Sequence, residues 1–342
     1  MGNRGPVTMQ AAIRHGGDLG RARASFPLAP EPWIDLSTGI NPHSYPHSPI
    51  PASAFARLPE PSALNHMKDI AAAAFGAPSA AHICAAPGTQ MLMPLLAELA
   101  LKRGAKSAAI LTPTYAEHAR TARMAGLEVA EVSDFSKLSD FGYAVVVNPN
   151  NPDGRMIERS ELLALAEKMS RKGGLLVIDE AFIETGHVES LADATQIDGL
   201  IVLRSFGKFY GMAGLRLGFA VAHPDIVEGL EQRLGPWAVS GPALHVAAEA
   251  MADRHWRDTM RLRLRTEAAR LDASLIGAGL NVVGGTSLFR LVRDERAATI
   301  FDHLAHRGIL IRIFDERAND MRFGLPGTEL EWQRLQAALS EL

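Results

Sequence analysis

From about residue 66 onward, helical periodicity alternates with short, nearly continuous apolar runs. A strand that is apolar at every position must be covered on both faces, so this alternation calls for a parallel sheet wrapped in helices, an α/β architecture. The expected strands are residues 82–86, 108–112, 127–132, 144–147, 175–178 and 200–203, and residues 91–101, 115–125 and 161–170 carry helical spacing between them. After Phe219 the character changes to long charged helices from about 225 to 276, stopped at Gly277-Ala278-Gly279. A smaller α+β unit follows, with strands expected at 288–292, 309–313 and 321–323 and helices near 296–306 and 329–339. Residues 26–62 hold much of the chain's proline and read as an extended arm. The expected division is an arm over residues 1–62, a large α/β domain over 63–224, and linking helices with a small C-terminal α+β domain over 225–342.

Composition narrows the partners. At 342 residues and 47% hydrophobic the chain can fill two cores, and its formal charge of −3 comes without a basic stripe, so nucleic acid is not an expected partner. The single cysteine, Cys84, sits in an apolar run and reads as core filler in a reducing compartment. Residues 1–23 carry several arginines but no continuous apolar stretch, and Pro6 stands where a myristoylation signal needs Ser or Thr. With no 18-residue apolar run anywhere, a membrane is not expected either, and the cytoplasm is the expected location.

In open α/β sheets a ligand binds outside the carboxyl ends of the strands, so the residues directly after each apolar run carry the information. Pro87-Gly88-Thr89-Gln90 opens a helix and offers backbone N–H groups, a hydroxyl and a positive dipole end to a phosphate, although such a turn also serves simple capping. Asn148-Pro149-Asn150-Asn151-Pro152-Asp153-Gly154 forms a stiff loop that aims amides at a strand end. Asp179, leaving a buried strand, needs a cationic partner. Arg204-Ser205-Phe206-Gly207-Lys208 precedes Gly211-Met212-Ala213-Gly214-Leu215-Arg216, which sets a lysine and an arginine eight positions apart. Together these supply one group each for an aldehyde, a pyridine nitrogen, a phenolate oxygen and a phosphate, the needs of pyridoxal 5′-phosphate. No metal site is expected.

Asn148–Gly154, Asp179-Glu180-Ala181-Phe182 and Ser205–Lys208 with Gly214-Leu215-Arg216 resemble the signatures of fold-type-I pyridoxal-phosphate enzymes, the aspartate-aminotransferase superfamily. The resemblance implies a large, mixed, mostly parallel seven-stranded sheet domain with a small α+β domain, and a homodimer with the active site at the subunit interface. It implies Lys208 as the Schiff-base lysine, Asp179 beside the ring nitrogen, Asn151 at O3′, and Gly88, Thr89, Ser205 and Arg216 around the cofactor phosphate. Tyr115 and Ala181 would face the two sides of the ring, and Arg322 would clamp the substrate carboxylate. Leu58-Pro59-Glu60 departs from the Tyr-Pro-Asp common in relatives, Phe182 replaces a tyrosine and Asp153 a threonine.

His15-Gly16-Gly17-Asp18 and Asp35–Pro42 narrow the resemblance to cobalamin-pathway L-threonine-O-3-phosphate decarboxylases, which are similar to histidinol-phosphate aminotransferases. In that family the N-terminal segment closes over the substrate, which implies His15 and Asn41 near it and Arg312 for the substrate phosphate. The implied reaction converts L-threonine O-3-phosphate into (R)-1-amino-2-propanol O-2-phosphate and CO₂. The alternatives are a histidinol-phosphate-type aminotransferase, which needs the same cofactor shell, and a cofactor-sensing regulator, which would need a DNA-binding segment that the proline-rich, non-basic residues before the fold do not resemble.

Overall fold

The apolar runs become strands whose alternate side chains part to opposite faces. In the computed structural model, which describes residues 15–186 and 188–342, the strands are β1 (Ile34–Asp35), β2 (Ile83–Ala86), β3 (Ser107–Leu111), β4 (Glu128–Val132), β5 (Tyr143–Val147), β6 (Leu175–Asp179), β7 (Leu200–Ser205), β8 (Gly218–Ala222), β9 (Asn281–Thr286), β10 (Phe289–Arg293), β11 (Ile309–Leu310), β12 (Arg312–Phe314) and β13 (Arg317–Gly324). Among the described residues a seven-stranded sheet forms in the order β2-β8-β7-β6-β5-β3-β4. β8 runs antiparallel to both its neighbours and every other pair is parallel. All strands except β8 therefore end at one edge.

On β6, Leu176 and Ile178 enter one apolar cluster while Leu175 and Val177 enter the other, and β7 divides Leu200 and Val202 from Ile201 and Leu203 in the same way. One face is covered by helices Thr89–Lys102, Glu117–Ala125 and Pro224–Leu234 through Leu92, Leu96, Ala122 and Leu230. The other is covered by Pro61–Phe75, Arg159–Ser170 and Gly241–Ala252 through Met67, Leu162 and Ala247. Fully burying one such Leu or Ile side chain contributes about 1.5–3 kcal/mol. With both faces claimed by apolar packing, polar side chains fall at strand ends.

The smaller unit is the four-stranded antiparallel sheet β12-β13-β10-β9. The single strand expected at 309–313 is divided at Ile311, because β11 pairs with β1 of the arm while β12 pairs with β13. β8 and β9 escaped the sequence reading: β8 follows directly on a glycine-punctuated stretch, and β9 contains Gly284-Gly285. The stretch from 225 to 276 is three helices, Pro224–Leu234, Gly241–Ala252 and Arg254–Gly277. The first stops at Gly235, with φ 74, and the last starts at Asp253, whose side chain accepts the Trp256 N–H. Cys84 is fully buried on β2, and burial pushes its thiol up to about 12. No described helix is long and apolar enough to cross a membrane. The expectations drawn from the first fourteen residues lie outside the described residues.

The loop after β5 meets the smaller unit backbone to backbone. A Cβ on Gly154, which has φ 73, would lie 2.0 Å from the Gly285 carbonyl oxygen, and one on Gly284 would lie 2.1 Å from the Asp153 carbonyl oxygen. Gly154→Ala should therefore destabilise the protein by about 2–4 kcal/mol, through overpacking added to the left-handed φ. Gly104 has φ 93 but opens onto free space, so Gly104→Ala should cost only about 1 kcal/mol. Urea midpoints of the two variants check this, and equal shifts would refute the tight contact.

Candidate active site

β2, β3, β5, β6 and β7 deliver their following residues to a common edge. Register brings two of these ends together: Ala86 and Ser205 both pair with Gly218. A Cβ on Gly218 would stand 2.5 Å from the Thr89 nitrogen, and one on Gly88 would stand 2.8 Å from Arg216 Nη2. Gly88, with φ 84, caps the helix Thr89–Lys102, whose free N–H groups make a ready anion site. Arg216 takes φ 52, a left-handed backbone that costs a non-glycine residue about 1–2 kcal/mol. That conformation returns its guanidinium to the Gly88 turn, where Nη1 donates to the Ala213 carbonyl at 3.1 Å.

Lys208 lies on the short helix Phe206–Phe209, half-buried, its amine 5.9 Å from the centre of the Phe182 ring. Burial, then the charges of Arg322 and Arg216, push its pKa down to about 8 against the opposing pull of Asp179. Asn41, expected beside the substrate, braces this helix. Its backbone N–H donates to the Lys208 carbonyl at 2.9 Å and its amide Nδ2 to the Phe209 carbonyl at 2.8 Å, while Oδ1 accepts the His43 N–H. It is 1% exposed, which leaves the side chain little surface to offer a ligand.

Asp179 ends β6 at 3% exposure, and its partner is His118, whose Nε2 lies 2.8 Å from Oδ2. Oδ1 accepts the Ala181 N–H at 3.0 Å. An ionised Asp179 requires the imidazole proton on Nε2, and burial without such a donor would cost several kcal/mol. The sequence reading missed His118, because a lone histidine inside helical spacing carries no signal of its own. Arg204, one strand away, is a different kind of cation: it is buried against Glu180, Ser190 and Glu184 and is fully engaged.

Of the three loop asparagines, Asn148 exchanges hydrogen bonds with the Ile157 backbone, and Asn150 joins Thr114, Pro113 and Asp153. Asn151 is left facing the site, where its Oδ1 accepts from Arg322 Nη1. Arg322 Nη2 donates to the Ser37 carbonyl at 2.8 Å, and its buried Nε has no partner among the described residues. Burial and the nearby charge of Arg312 push Arg322 down to about 10. Arg312 is its register partner across β12 and β13. Tyr115 donates to Gln90 Oε1 at 3.3 Å, and burial, then Glu117, push its hydroxyl up to about 12. His15 lies with its ring 5.8 Å from that of Tyr115 and Nε2 3.2 Å from Glu117 Oε1.

A buried carboxylate, a depressed lysine and a helix-capped anion turn at the strand ends of a covered α/β sheet define a cofactor-using enzyme class. The sequence profile of aminotransferase class I and II matches residues 32–337, and the chain belongs to that family. It is 41% identical over 330 residues to a threonine-phosphate decarboxylase of Pseudomonas aeruginosa, covering 96% of this chain and 97% of that one. It is 42% identical over 338 residues to another from Sinorhizobium, covering 98% and 99%. The fold is similar to that of histidinol-phosphate aminotransferase from Sinorhizobium meliloti in complex with pyridoxal 5′-phosphate, with a TM-score of 0.83, 21% identity, and coverage of 100% of this chain and 98% of that one.

Pyridoxal 5′-phosphate fits the residues present. The Gly88 turn has no room for a Cβ beside Arg216, as a backbone-lined phosphate cradle requires, and the donor set pairs a buried acid with an amine of lowered basicity. The lowered lysine pKa has a consequence for the cofactor-free protein. Below pH 8 Lys208 is charged folded and unfolded, so the fold bears the full cost of burying it; from there to 10.5 the unfolded chain holds more protons and stability rises with pH. Lys208→Met should thus stabilise the cofactor-free protein by up to about 3 kcal/mol more at pH 7 than at pH ~10.5. Chemical denaturation at both pH values checks this, and a pH-independent difference would overturn it.

Proposed function

We propose that this chain is a pyridoxal-5′-phosphate-dependent decarboxylase of L-threonine O-3-phosphate, releasing CO₂ and (R)-1-amino-2-propanol O-2-phosphate in cobalamin biosynthesis. The observation that carries the reading is the register pairing of Arg312 with Arg322 beside the Asn151 loop. Two adjacent cations suit a substrate with both a phosphate and a carboxylate, and histidinol phosphate has no carboxylate. The names of the two relatives above 40% identity support the same substrate.

In this reading Gly88, Thr89, Ser205 and Arg216 hold the cofactor phosphate, Asn151 donates to O3′, Asp179 holds the ring nitrogen protonated, and Tyr115 and Ala181 flank the ring. Bound there, the cofactor supplies a conjugated system that accepts the electron pair of a substrate bond standing perpendicular to its plane. Lys208, with a pKa near 8, has about one amine in ten neutral at pH 7, against a few in ten thousand for an ordinary lysine. That fraction makes it a competent nucleophile and a donor able to return a proton to Cα. Asp179 is held in place by His118 Nε2 and the Ala181 N–H. Arg322 receives the carboxylate through its free Nε, and Arg312 the substrate phosphate, so anchoring at two points decides which Cα bond is presented.

The reading includes a homodimer with the active site at the interface, supported by Phe55, Leu58 and Trp237, which stand 69%, 63% and 57% exposed on segments around the Gly241–Ala54 contact. It also includes the division into an arm over 1–62, a large domain over 63–224 and a smaller unit over 225–342, and a cytoplasmic location, supported by a single buried cysteine.

Purified protein with cofactor and L-threonine O-3-phosphate should release CO₂ and aminopropanol phosphate without any keto acid. An aminotransferase would require 2-oxoglutarate and yield glutamate, so both products are followed with and without it, with histidinol phosphate as competitor. Glutamate from histidinol phosphate and no CO₂ from threonine phosphate would overturn the decarboxylase reading and leave the cofactor site standing. Arg216→Ala should weaken cofactor binding by about 10- to 100-fold while changing substrate KM little at saturating cofactor. Unchanged cofactor affinity in a fluorescence titration would remove Arg216 from the phosphate site.

A further inference from the structure

Glu117 has no part in the roles assigned above, yet it is a carboxylate only 4% exposed at the mouth of the site. Oε2 accepts from Gln90 Nε2 at 2.8 Å and from Arg120 Nη1 at 3.0 Å, and Oε1 lies 3.2 Å from His15 Nε2. Gln90 follows Thr89 of the anion turn and accepts from the Tyr115 hydroxyl. One side chain thus joins the anion turn, the aromatic residue and the N-terminal segment.

That segment is anchored on the opposite side as well. A Cβ on Gly16 would lie 2.4 Å from the Ser37 carbonyl oxygen, and Gly17, with φ 88, donates its N–H to Ser37 Oγ at 2.7 Å. The Ser37 carbonyl that crowds Gly16 is also the acceptor for Arg322 Nη2. Residues 15–17 therefore run as a strap from the Arg322 side to the Tyr115 side. Both glycines are required at Ser37, one for space and one for conformation, and the far end is held by the His15–Glu117 contact.

We propose that Glu117 is the positioning residue of this strap: its carboxylate fixes His15 beside Tyr115 and so completes the substrate side of the cleft. The inference rests on the reading of the site as one for a phosphorylated amino acid. Glu117 acts through His15 and does not touch the reacting atoms. With Nε2 committed to the carboxylate, the His15 ring is held in one orientation beside Tyr115.

The test compares Glu117→Gln, His15→Ala and the double variant as cofactor-loaded enzymes. Gln preserves the size of the side chain and an acceptor for Gln90, and His15 is exposed, so its replacement leaves the core intact. Each single variant should raise KM for L-threonine O-3-phosphate about 3- to 10-fold with kcat within about twofold, and the double variant should be no worse than the worse single. The visible absorption band of the bound cofactor should stay in place in all three. Hydrogen exchange at the Gly17 amide should speed up in both single variants. Effects on KM that multiply in the double variant, or Gly17 exchange unchanged in Glu117→Gln, would overturn the proposal. A parent enzyme inert toward threonine phosphate would overturn the functional reading instead, and the exchange measurement would still decide the strap.

Discussion

The carboxylate of Asp179 sits at the end of a strand buried along its whole length, and its burial is the constraint on which the site depends. A carboxylate placed there without a donor would take up a proton or destabilise the fold by several kcal/mol. His118 meets that demand from the helix Glu117–Ala125. Tyr115, Glu117 and His118 come from a single stretch of chain after β3, so the segment that supplies the Asp179 partner also places an aromatic ring and a second buried acid near it. Parallel pairing of β3, β5 and β6 is what brings this stretch within reach of Asp179.

Around the acid stands an excess of cations. Burial first, and then the charges of Arg322 and Arg216 on Lys208 and of Arg312 on Arg322, push Lys208 and Arg322 below their ordinary values. Such a cluster is stable at modest cost and becomes favourable when anions enter, which is the complementarity expected of a site for phosphates and a carboxylate. Arg204 makes the contrast: both its terminal nitrogens are committed, to Glu180 and Ser190 and to Glu184. The sequence places Arg204 and Lys208 four positions apart, and burial with partners divides a structural cation from a chemical one.

Much of this was legible before the fold. Runs of apolar residues have one stable solution when both faces must be covered, so six of the seven strands of the large sheet appear near their expected places. The residues after them were legible because a strand end is where a covered sheet can expose polar groups. Where the reading failed, the signal was weak or non-local. β9 is diluted by glycines whose purpose is the close approach to Asp153 and Gly154. The stretch 309–313 looks like one strand, since no local pattern reveals that its halves pair with different partners.

The sequence by itself determined the α/β class, most strands of the large sheet and the placing of Asp179, Asn151 and Lys208 just after strands, because periodicity and position along the chain are local properties. Only the tertiary structure decided which partners these residues have. Asp179 meets His118 across 61 positions, Arg322 meets Asn151 across 171, His15 meets Glu117 across 102, and Asn41 braces the Lys208 helix across 168. Hydrogen bonds and ion pairs act over a few ångströms in space and take no account of distance along the chain, so they exist only once the sheet has brought its strand ends to one edge.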